Sequence, residues 1–361
     1  MKSINQIDQP LNRIIVEATN ICNLNCSMCL RTTWASETGH MPREVFERLL
    51  NDIQEFSKPP EIFFGGYGEP LSHPDIIDMI QRVKVFGDRV GLVSNGTQLT
   101  PTLSQDLIQS GLDKLWISLD DIHQNSILEG LGSLTRQNAL KNLEGFLNLQ
   151  HDLQVGPEVG LVFVLTKSNS SQAQDVLDMG ISLGVKSFFI TNLEAFSVEM
   201  AGETPYRADQ FRRPGSFLSA QSNLIEELEL QGVDYGINME GSQVNPSTLC
   251  PFAEKGEIAM RWDGEVSPCL PLLYDHVSFV DSWRHQVDSY SIGNIQSRSI
   301  QEIWTDREFI TLRDHLLGDN FSPCLSCQNC WLSEDNRLDC MGYEHPTCGG
   351  CLWAKGLITC P

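Results

Sequence analysis

The sequence has few basic residues. Its 361 residues include 25 Lys and Arg against 47 Asp and Glu, so the formal net charge is −22. A surface with this excess of negative charge repels phosphate backbones and anionic lipid headgroups. We therefore expect neither a nucleic-acid partner nor a membrane-surface partner, and the simplest reading of the charge is solubility.

Long hydrophobic runs are also missing. No stretch reaches the roughly 18 to 20 apolar residues that a membrane span needs. The first segment, MKSINQIDQPLNR, lacks the apolar core of a secretory signal. We therefore expect a cytoplasmic protein. In that reducing compartment its 12 cysteines are expected to be metal ligands or catalysts rather than disulfides.

Cysteine is absent from the middle of the chain. Cys22, Cys26 and Cys29 share one short polar loop, no cysteine lies between Thr32 and Leu249, and nine lie between Cys250 and Cys360. Core cysteines would be scattered along the sequence. The two groups therefore predict two regions of metal chemistry.

Between the two cysteine groups, apolar runs alternate with amphipathic segments. Six runs rich in β-branched and aromatic residues are typical of buried strands: RIIVEAT (13–19), EIFFGG (61–66), RVGLVSN (89–95), KLWISLD (114–120), EVGLVFVL (158–165) and VKSFFITN (185–192). Segments with helical spacing separate them. This alternation predicts an α/β fold with a parallel sheet and right-handed crossovers, either an open doubly wound sheet or a partial barrel.

Polar motifs follow the first four predicted strands. The cysteine loop follows the first, GGYGEP (65–70) the second, SNGT (94–97) the third and SLDD (118–121) the fourth. In both candidate architectures, ligands bind where strands end at their carboxyl termini. We therefore expect the four motifs to share one edge of the sheet.

Three thiolates can bind three irons of a four-iron cluster, which leaves the fourth iron open to an outside ligand; an electron-transfer cluster would use four. The spacing Cys22-x3-Cys26-x2-Cys29 after the first strand resembles the signature of the radical S-adenosylmethionine superfamily. That resemblance implies a partial (β/α)6 barrel over residues 12–195. It also implies that the open iron binds S-adenosylmethionine, which yields a 5'-deoxyadenosyl radical that removes a hydrogen from the substrate.

The resemblance also implies a binding site for S-adenosylmethionine at the predicted edge. Gly68 and Glu69 stand where the family meets the methionine ammonium, since glycine permits close backbone approach and a carboxylate pairs with an ammonium. The ribose hydroxyls and the methionine carboxylate are expected at four further residues: Ser94, Asn95, Ser118 and Asp120.

The nine C-terminal cysteines permit two readings. They are Cys250, Cys269, Cys324, Cys327, Cys330, Cys340, Cys348, Cys351 and Cys360. Cys-x2-Cys pairs are typical of zinc ribbons. Alternatively, the order of a Cys, a Gly-x4-Cys, SIGNI, EIW and a terminal Cys group resembles the SPASM domain, which binds auxiliary iron–sulfur clusters. Because the region has little apolar periodicity, we expect metal rather than a core to stabilise it.

The SPASM resemblance implies a domain over 250–361, joined to the barrel by a connecting segment over 196–249. It also implies two auxiliary four-iron clusters. By order along the chain, Cys250, Cys269 and Cys340 are expected on the first cluster. Cys324, Cys327 and Cys330 are expected on the second, which a tail cysteine closes. The choice among Cys348, Cys351 and Cys360 stays open.

The final stretch, CGGCLWAKGLITCP, resembles the tail of SPASM proteins described as cofactor-modifying or maturation proteins of tungsten-containing aldehyde oxidoreductases. This implies an enzyme that modifies a protein or cofactor substrate, with a tungsten oxidoreductase as partner and a ferredoxin or flavodoxin as one-electron donor. Two alternatives remain: modification of a ribosomal peptide or a sulfatase-type protein, and a non-catalytic iron–sulfur scaffold or electron carrier.

Overall fold

The structure is a computed structural model that describes residues 9–119, 133–207, 234–237, 250–318, 321–327, 329–358 and 360–361. For residues 133–136 and 234–237 it describes the backbone alone. Asp120 lies outside the described residues, as does most of the predicted connecting segment.

The centre of the fold is a parallel sheet assembled in chain order. Its strands are β1 Arg13–Val16, β2 Glu61–Phe64, β3 Val90–Ser94, β4 Lys114–Ser118, β5 Glu158–Leu165, β6 Ser187–Asn192 and β7 Asp234–Ile237. Each strand pairs in parallel with the next. A doubly wound sheet reverses its strand order at a switch point, whereas a (β/α) barrel keeps chain order. The observed order therefore favours the partial barrel of the two predicted architectures.

Amphipathic helices connect the strands. They are α1 Arg43–Ile53, α2 Ile76–Val85, α3 Pro101–Gln109, α4 Ser133–Leu153 and α5 Ala173–Ser182, followed after β6 by the short α6 Val198–Ala201. Local signals fix some of their ends. Thr100 accepts a hydrogen bond from the backbone N–H of Leu103, and Pro101 supplies the first helical residue, so these two residues set where α3 begins.

The sheet continues into the C-terminal cysteine-rich region. Strand β8 Glu257–Met260 pairs in parallel with β1, and β9 Glu265–Ser267 and β12 Gly293–Asn294 extend the sheet in antiparallel fashion. A separate hairpin consists of β10 His276–Val280 and β11 Trp283–Val287. Three helices complete the region: α7 Pro251–Lys255, α8 Ile300–Trp304 and α9 Arg307–Leu316.

The two faces of the sheet pack against different partners. Ile14 and Ile62 face the helices and belong to the main hydrophobic core. Ile15 and Phe63, the alternate residues, point the other way and share a second buried cluster with Trp353 of the C-terminal region. The expectation that metal rather than a core stabilises that region is wrong as stated, because side chains from it, including Leu272 and Trp283, also join this apolar cluster.

Among the described residues, no helix is long and apolar enough to cross a membrane.

Candidate active site

The cysteine loop, GGYGEP and SNGT meet at one edge of the sheet, as the parallel strands require. The backbone N–H of Glu69 donates to the carbonyl of Ile21 at 2.9 Å. The backbone N–H of Asn95 donates to Oε2 of Glu69 at 2.8 Å, and Nδ2 of Asn95 lies 3.8 Å from Sγ of Cys22. Direct hydrogen bonds therefore join the first three motifs.

The cysteine loop is shaped by its own backbone. The N–H of Cys29 donates to the carbonyl of Cys26 at 3.0 Å, and the N–H of Leu24 points at Sγ of Cys22 at 3.4 Å. All three thiols are partly exposed. Burial raises the pKa of Cys22 and of Cys29, so both thiols need a positive partner to become thiolates. Bound iron supplies that charge, which makes three thiols on an open loop a fitting donor set.

Gly68 permits the close contact between the GGYGEP turn and the cysteine loop. A Cβ atom placed on Gly68 would lie 2.0 Å from the carbonyl oxygen of Thr19 and 2.7 Å from Cα of Asn20. Both obstacles are backbone atoms, which cannot turn aside as a flexible side chain can. The sequence assigned Gly68 to close backbone approach, and in the structure the partner of that approach is the protein's own loop.

Glu69 connects three segments from within the protein. It is 2% exposed. Its Oε1 accepts from the backbone N–H of Leu71 at 3.0 Å, while its Oε2 accepts from Asn95. Burial raises the pKa of Glu69 to about 6, and these hydrogen bonds oppose the rise. A carboxylate oxygen can accept two hydrogen bonds, so the carboxylate of Glu69 can still accept a hydrogen bond from an ammonium group.

The remaining residues expected at S-adenosylmethionine differ in their placement. Ser94 is buried, and its Oγ accepts from the backbone N–H of Gly96 at 3.0 Å. The side chain of Asn95 donates to Oδ1 of Asn23 at 3.0 Å. Ser118 ends β4 and is half-buried. Asp120 cannot be placed, since it lies outside the described residues.

Four of the nine C-terminal cysteines surround one cavity. Cys250, Cys269, Cys348 and Cys351 line an enclosed space of about 40 Å³. Burial raises the pKa of the Cys250 thiol to about 11 and that of Cys351 to about 12. Such thiols are neutral in an empty site and become thiolates when a metal binds. This set is chemically suited to an auxiliary cluster.

A second group forms around Cys324. Burial raises the pKa of Cys324, and the neighbouring Cys340 and Cys327 add to the rise. The N–H of Cys330 donates to the carbonyl of Cys327 at 2.9 Å, which continues the same turn. In the structure Cys340 lies near Cys324, and Cys348 and Cys351 line one cavity with Cys250 and Cys269. This grouping differs from the one expected from order along the chain, and which cysteines bind which cluster stays a prediction.

Cys360 does not line the four-cysteine cavity, although it packs against the same apolar cluster as Cys250 and Cys269. Burial raises its pKa to about 11, and nearby Glu257 adds to the rise. The neighbouring backbone is fixed, because Nη1 of Arg13 donates to the carbonyl of Pro361 at 2.8 Å.

In the part of the chain that the structure describes, no three His, Cys, Asp or Glu side chains are arranged to hold a single metal ion. A four-iron cluster places a different demand on the protein, because each cysteine binds a separate iron.

Sequence reasoning missed a buried polar cluster beside the cysteine loop. Glu17, just after β1, accepts a hydrogen bond from the Tyr274 hydroxyl and another from the backbone N–H of Tyr67 at 3.0 Å. Burial raises the pKa of Glu17 to about 7. Trp34 packs on Tyr274 with ring centroids 4.3 Å apart. A glutamate at the end of an apolar strand run was the available signal for this cluster.

Glu194 is a second buried carboxyl that the sequence did not reveal. It follows β6, lines the four-cysteine cavity and accepts from Nε1 of Trp353 at 3.0 Å. Burial raises its pKa to about 7. Burial also raises the pKa of Tyr67, with nearby Glu194, Cys269, Glu17 and Cys29 adding to the rise. Tyr67 is therefore close to the cysteine loop, through Cys29, and to the four-cysteine cavity, through Cys269.

Residues 16–178 match the radical SAM superfamily. This part of the chain belongs to that superfamily. Residues 250–331 match SPASM, an iron–sulfur cluster-binding domain. The predicted family and enzyme class are confirmed, as are the cofactor types, S-adenosylmethionine and four-iron clusters. The predicted α/β fold is also confirmed. The assignment of individual ligands and the domain boundaries stay predictions.

The radical SAM chain is similar to a curated relative along its whole length. A tungsten-containing aldehyde ferredoxin oxidoreductase cofactor-modifying protein from Pyrococcus furiosus is 28% identical over 353 residues, which cover 96% of each chain. Two solved structures share the fold. Streptococcus suis SuiB bound to its precursor peptide SuiA has a TM-score of 0.61 at 16% identity, over 88% of this chain and 69% of SuiB. AdoMet-bound anSMEcpe has a TM-score of 0.60 at 20% identity, over 84% of each chain.

Proposed function

We propose that this radical SAM enzyme modifies a protein or its cofactor during maturation of a tungsten-containing oxidoreductase. The observation that carries the proposal is the similarity to the Pyrococcus furiosus cofactor-modifying protein, which covers 96% of both chains. The similarity therefore extends well into the cysteine-rich C-terminal region. The tail packs on the barrel: Nδ2 of Asn192, at the end of β6, donates to the carbonyl of Leu357 at 2.8 Å.

The cysteine loop and Glu69 would bind the catalytic cluster and S-adenosylmethionine. Cys22, Cys26 and Cys29 would hold three irons of the catalytic cluster and leave the fourth for S-adenosylmethionine. Glu69 would accept the methionine ammonium with its remaining lone pairs. With S-adenosylmethionine bound and one electron supplied by a ferredoxin or flavodoxin, the cluster and S-adenosylmethionine together would supply a 5'-deoxyadenosyl radical that removes a hydrogen from the substrate.

The surrounding side chains would shield this chemistry and handle protons. Trp34, Tyr67 and Tyr274 form an aromatic group beside the cysteine loop, which would exclude water. Glu17 and Glu194 are buried carboxyls with pKa values raised to about 7, so either can exchange a proton near neutral pH. The two C-terminal groups of four cysteines would hold two auxiliary clusters.

The test replaces the gene in its native host with a Cys29→Ala version. We expect the tungsten oxidoreductase polypeptide to accumulate without activity, because the catalytic cluster lacks one ligand. Ser27→Ala is the matched control, since it changes the same loop and keeps all three cysteines, and it should preserve oxidoreductase activity. The measurements are oxidoreductase activity, its tungsten content and the amount of polypeptide.

Normal oxidoreductase activity in the Cys29→Ala strain would refute the maturation role. If the strain instead accumulates an unmodified short peptide, the substrate of the enzyme is a peptide. If the purified, iron-loaded enzyme forms no 5'-deoxyadenosine with dithionite and S-adenosylmethionine, it is a scaffold.

A further inference from the structure

An open cleft lies where the barrel meets the C-terminal region. Its volume is about 440 Å³. Three segments line it: residues 33–35, which follow the cysteine loop, residues 196–198, which follow β6, and part of the β10–β11 hairpin. One residue, His276, lines both this cleft and the four-cysteine cavity. The cleft therefore adjoins the catalytic loop and the first auxiliary site.

Strand β10 presents an open backbone edge to the cleft. Val277 pairs with Gln286 of β11, but the N–H of Gln286 donates to Glu334 instead, at 2.7 Å. In an antiparallel ladder such a pair exchanges no hydrogen bonds, so the N–H and C=O of Val277 point away from β11. Phe279, two residues on, points the same way and donates to the carbonyl of Ala195 at 2.9 Å.

The segment around Ala195 pairs with β10 at Phe279 but does not continue along β10 as far as Val277. After Ala195 it turns into helix α6, for which Ser197 is the N-cap. Among the described residues, the outward N–H and C=O of Val277 have no hydrogen-bond partner. An unpaired edge of this kind is a template for an added strand.

The lining is mainly apolar and carries one negatively charged side chain among the described residues. Trp34, Phe196 and Phe279 supply aromatic surface. Asp275 is the only charged side chain among the described lining residues. The backbone N–H of Ser289 donates to its Oδ1 at 2.6 Å, and this hydrogen bond lowers the pKa of Asp275, so the carboxylate stays ionised. Together with a net charge of −22, this favours a basic ligand.

We propose that the cleft binds an extended segment of the substrate protein as a short strand added beside β10, paired with Val277, with a Lys or Arg side chain at Asp275. The docking proposal rests on the proposed function in one respect: it assumes that the bound segment belongs to the tungsten oxidoreductase. The bound segment would pass between the cysteine loop and the four-cysteine cavity.

Overlapping synthetic peptides that span the host's tungsten oxidoreductase are the probe. Their dissociation constants are measured without oxygen against the full-length, iron-loaded enzyme. We expect one basic, apolar stretch to bind. Val277→Pro removes the outward N–H and should weaken that peptide about tenfold, the equivalent of one lost hydrogen bond. Val277→Thr, the matched control, keeps the N–H and should bind as the unaltered enzyme does.

The charge contribution is tested with Asp275→Asn. It should weaken the same peptide by roughly threefold at low salt and less as salt is added. Asp106→Asn, an exposed substitution on α3 outside the cleft, should have no effect. Iron content and 5'-deoxyadenosine formation without peptide report whether each variant is folded.

A second measurement does not depend on the folding of Val277→Pro. Peptides with single N-methylated backbone amides, bound to the unaltered enzyme, should lose about tenfold in affinity only at the position whose N–H donates to the carbonyl of Val277. Equal losses for Val277→Pro and Val277→Thr, or no sensitivity to N-methylation, would overturn the strand-pairing proposal. If no peptide binds while the oxidoreductase still requires the enzyme for activity, the docking proposal fails and the maturation role stands.

Discussion

At the scale of single residues, burial decides which ionisable groups are unusual. Glu17, Glu69 and Glu194 lie beside the cysteine sites, and burial raises the pKa of each. Burial also raises the pKa of Asp88, which is not one of the residues described at the cysteine sites. It is 6% exposed, its Oδ2 has no hydrogen-bond partner, and burial raises its pKa to about 6.

Asp88→Asn should therefore stabilise the protein at a pH above 6. The folded-state pKa is higher than the ordinary value of 3.8, so stability falls as pH rises from 3.8 to about 6 and stays low above that. Removing the charge should raise the free energy of unfolding by up to about 3 kcal/mol above this window and by little below pH 3.8, because the shift is about two pKa units and each corresponds to about 1.4 kcal/mol.

Urea unfolding at several pH values measures the effect. Asp106→Asn, which removes an exposed carboxylate, is the control and should change stability little at any pH. A gain for Asp88→Asn that is independent of pH would show that the charge of Asp88 is not its cause.

At the scale of elements, the site depends on how closely neighbouring loops approach. The loops after β1, β2 and β3 are joined by Glu69, and the absence of a side chain at Gly68 sets the distance between the first two. Parallel strands with aligned ends bring these loops together, and the glycine then allows backbone to meet backbone.

Gly68→Ala should disrupt the catalytic cluster. The added Cβ would lie 2.0 Å from the carbonyl oxygen of Thr19, so the cysteine loop must move. We expect the purified variant to lose about four iron atoms and to form no 5'-deoxyadenosine. Gly145→Ala in α4, where a Cβ meets nothing within 4 Å, is the control and should keep both properties. Full iron content and activity in Gly68→Ala would contradict this account.

At the scale of the whole molecule, the barrel and the cysteine-rich region share a sheet and a buried core. Strand β8 extends the sheet from β1, and Tyr274 of the C-terminal region donates to Glu17 of the barrel. The auxiliary sites are therefore attached to the catalytic site through packed protein.

Two cysteine substitutions test the spatial partition of the auxiliary ligands. Cys340→Ala should lose up to about four of roughly twelve iron atoms, because Cys340 lies with Cys324 in a four-cysteine group. Cys360→Ala should keep the full iron content, because Cys360 does not line the four-cysteine cavity. Iron analysis of anaerobically purified protein measures both. Loss of iron only from Cys360→Ala would reverse the assignment, and zinc in place of iron would favour the zinc-ribbon reading.

The sequence by itself determined the family and the order of the fold. The spacing of Cys22, Cys26 and Cys29 was enough for the family, because three ligands on one loop are local in the chain. Alternating apolar runs were enough for the six βα units, because strand and helix periods are also local. The observed strands end a few residues away from the ends of the predicted runs, and capping residues such as Thr100 set where helices begin.

Only the tertiary structure decided which distant residues share a site. Order along the chain put Cys340 with Cys250 and Cys269, whereas folding places Cys348 and Cys351 there. It also brought Glu17 to Tyr274, 257 residues away. At the cleft, it left the outward N–H and C=O of Val277 without a hydrogen-bond partner among the described residues. The physical reason is that burial, cluster geometry and open strand edges depend on contacts between segments far apart in sequence, which no local pattern records.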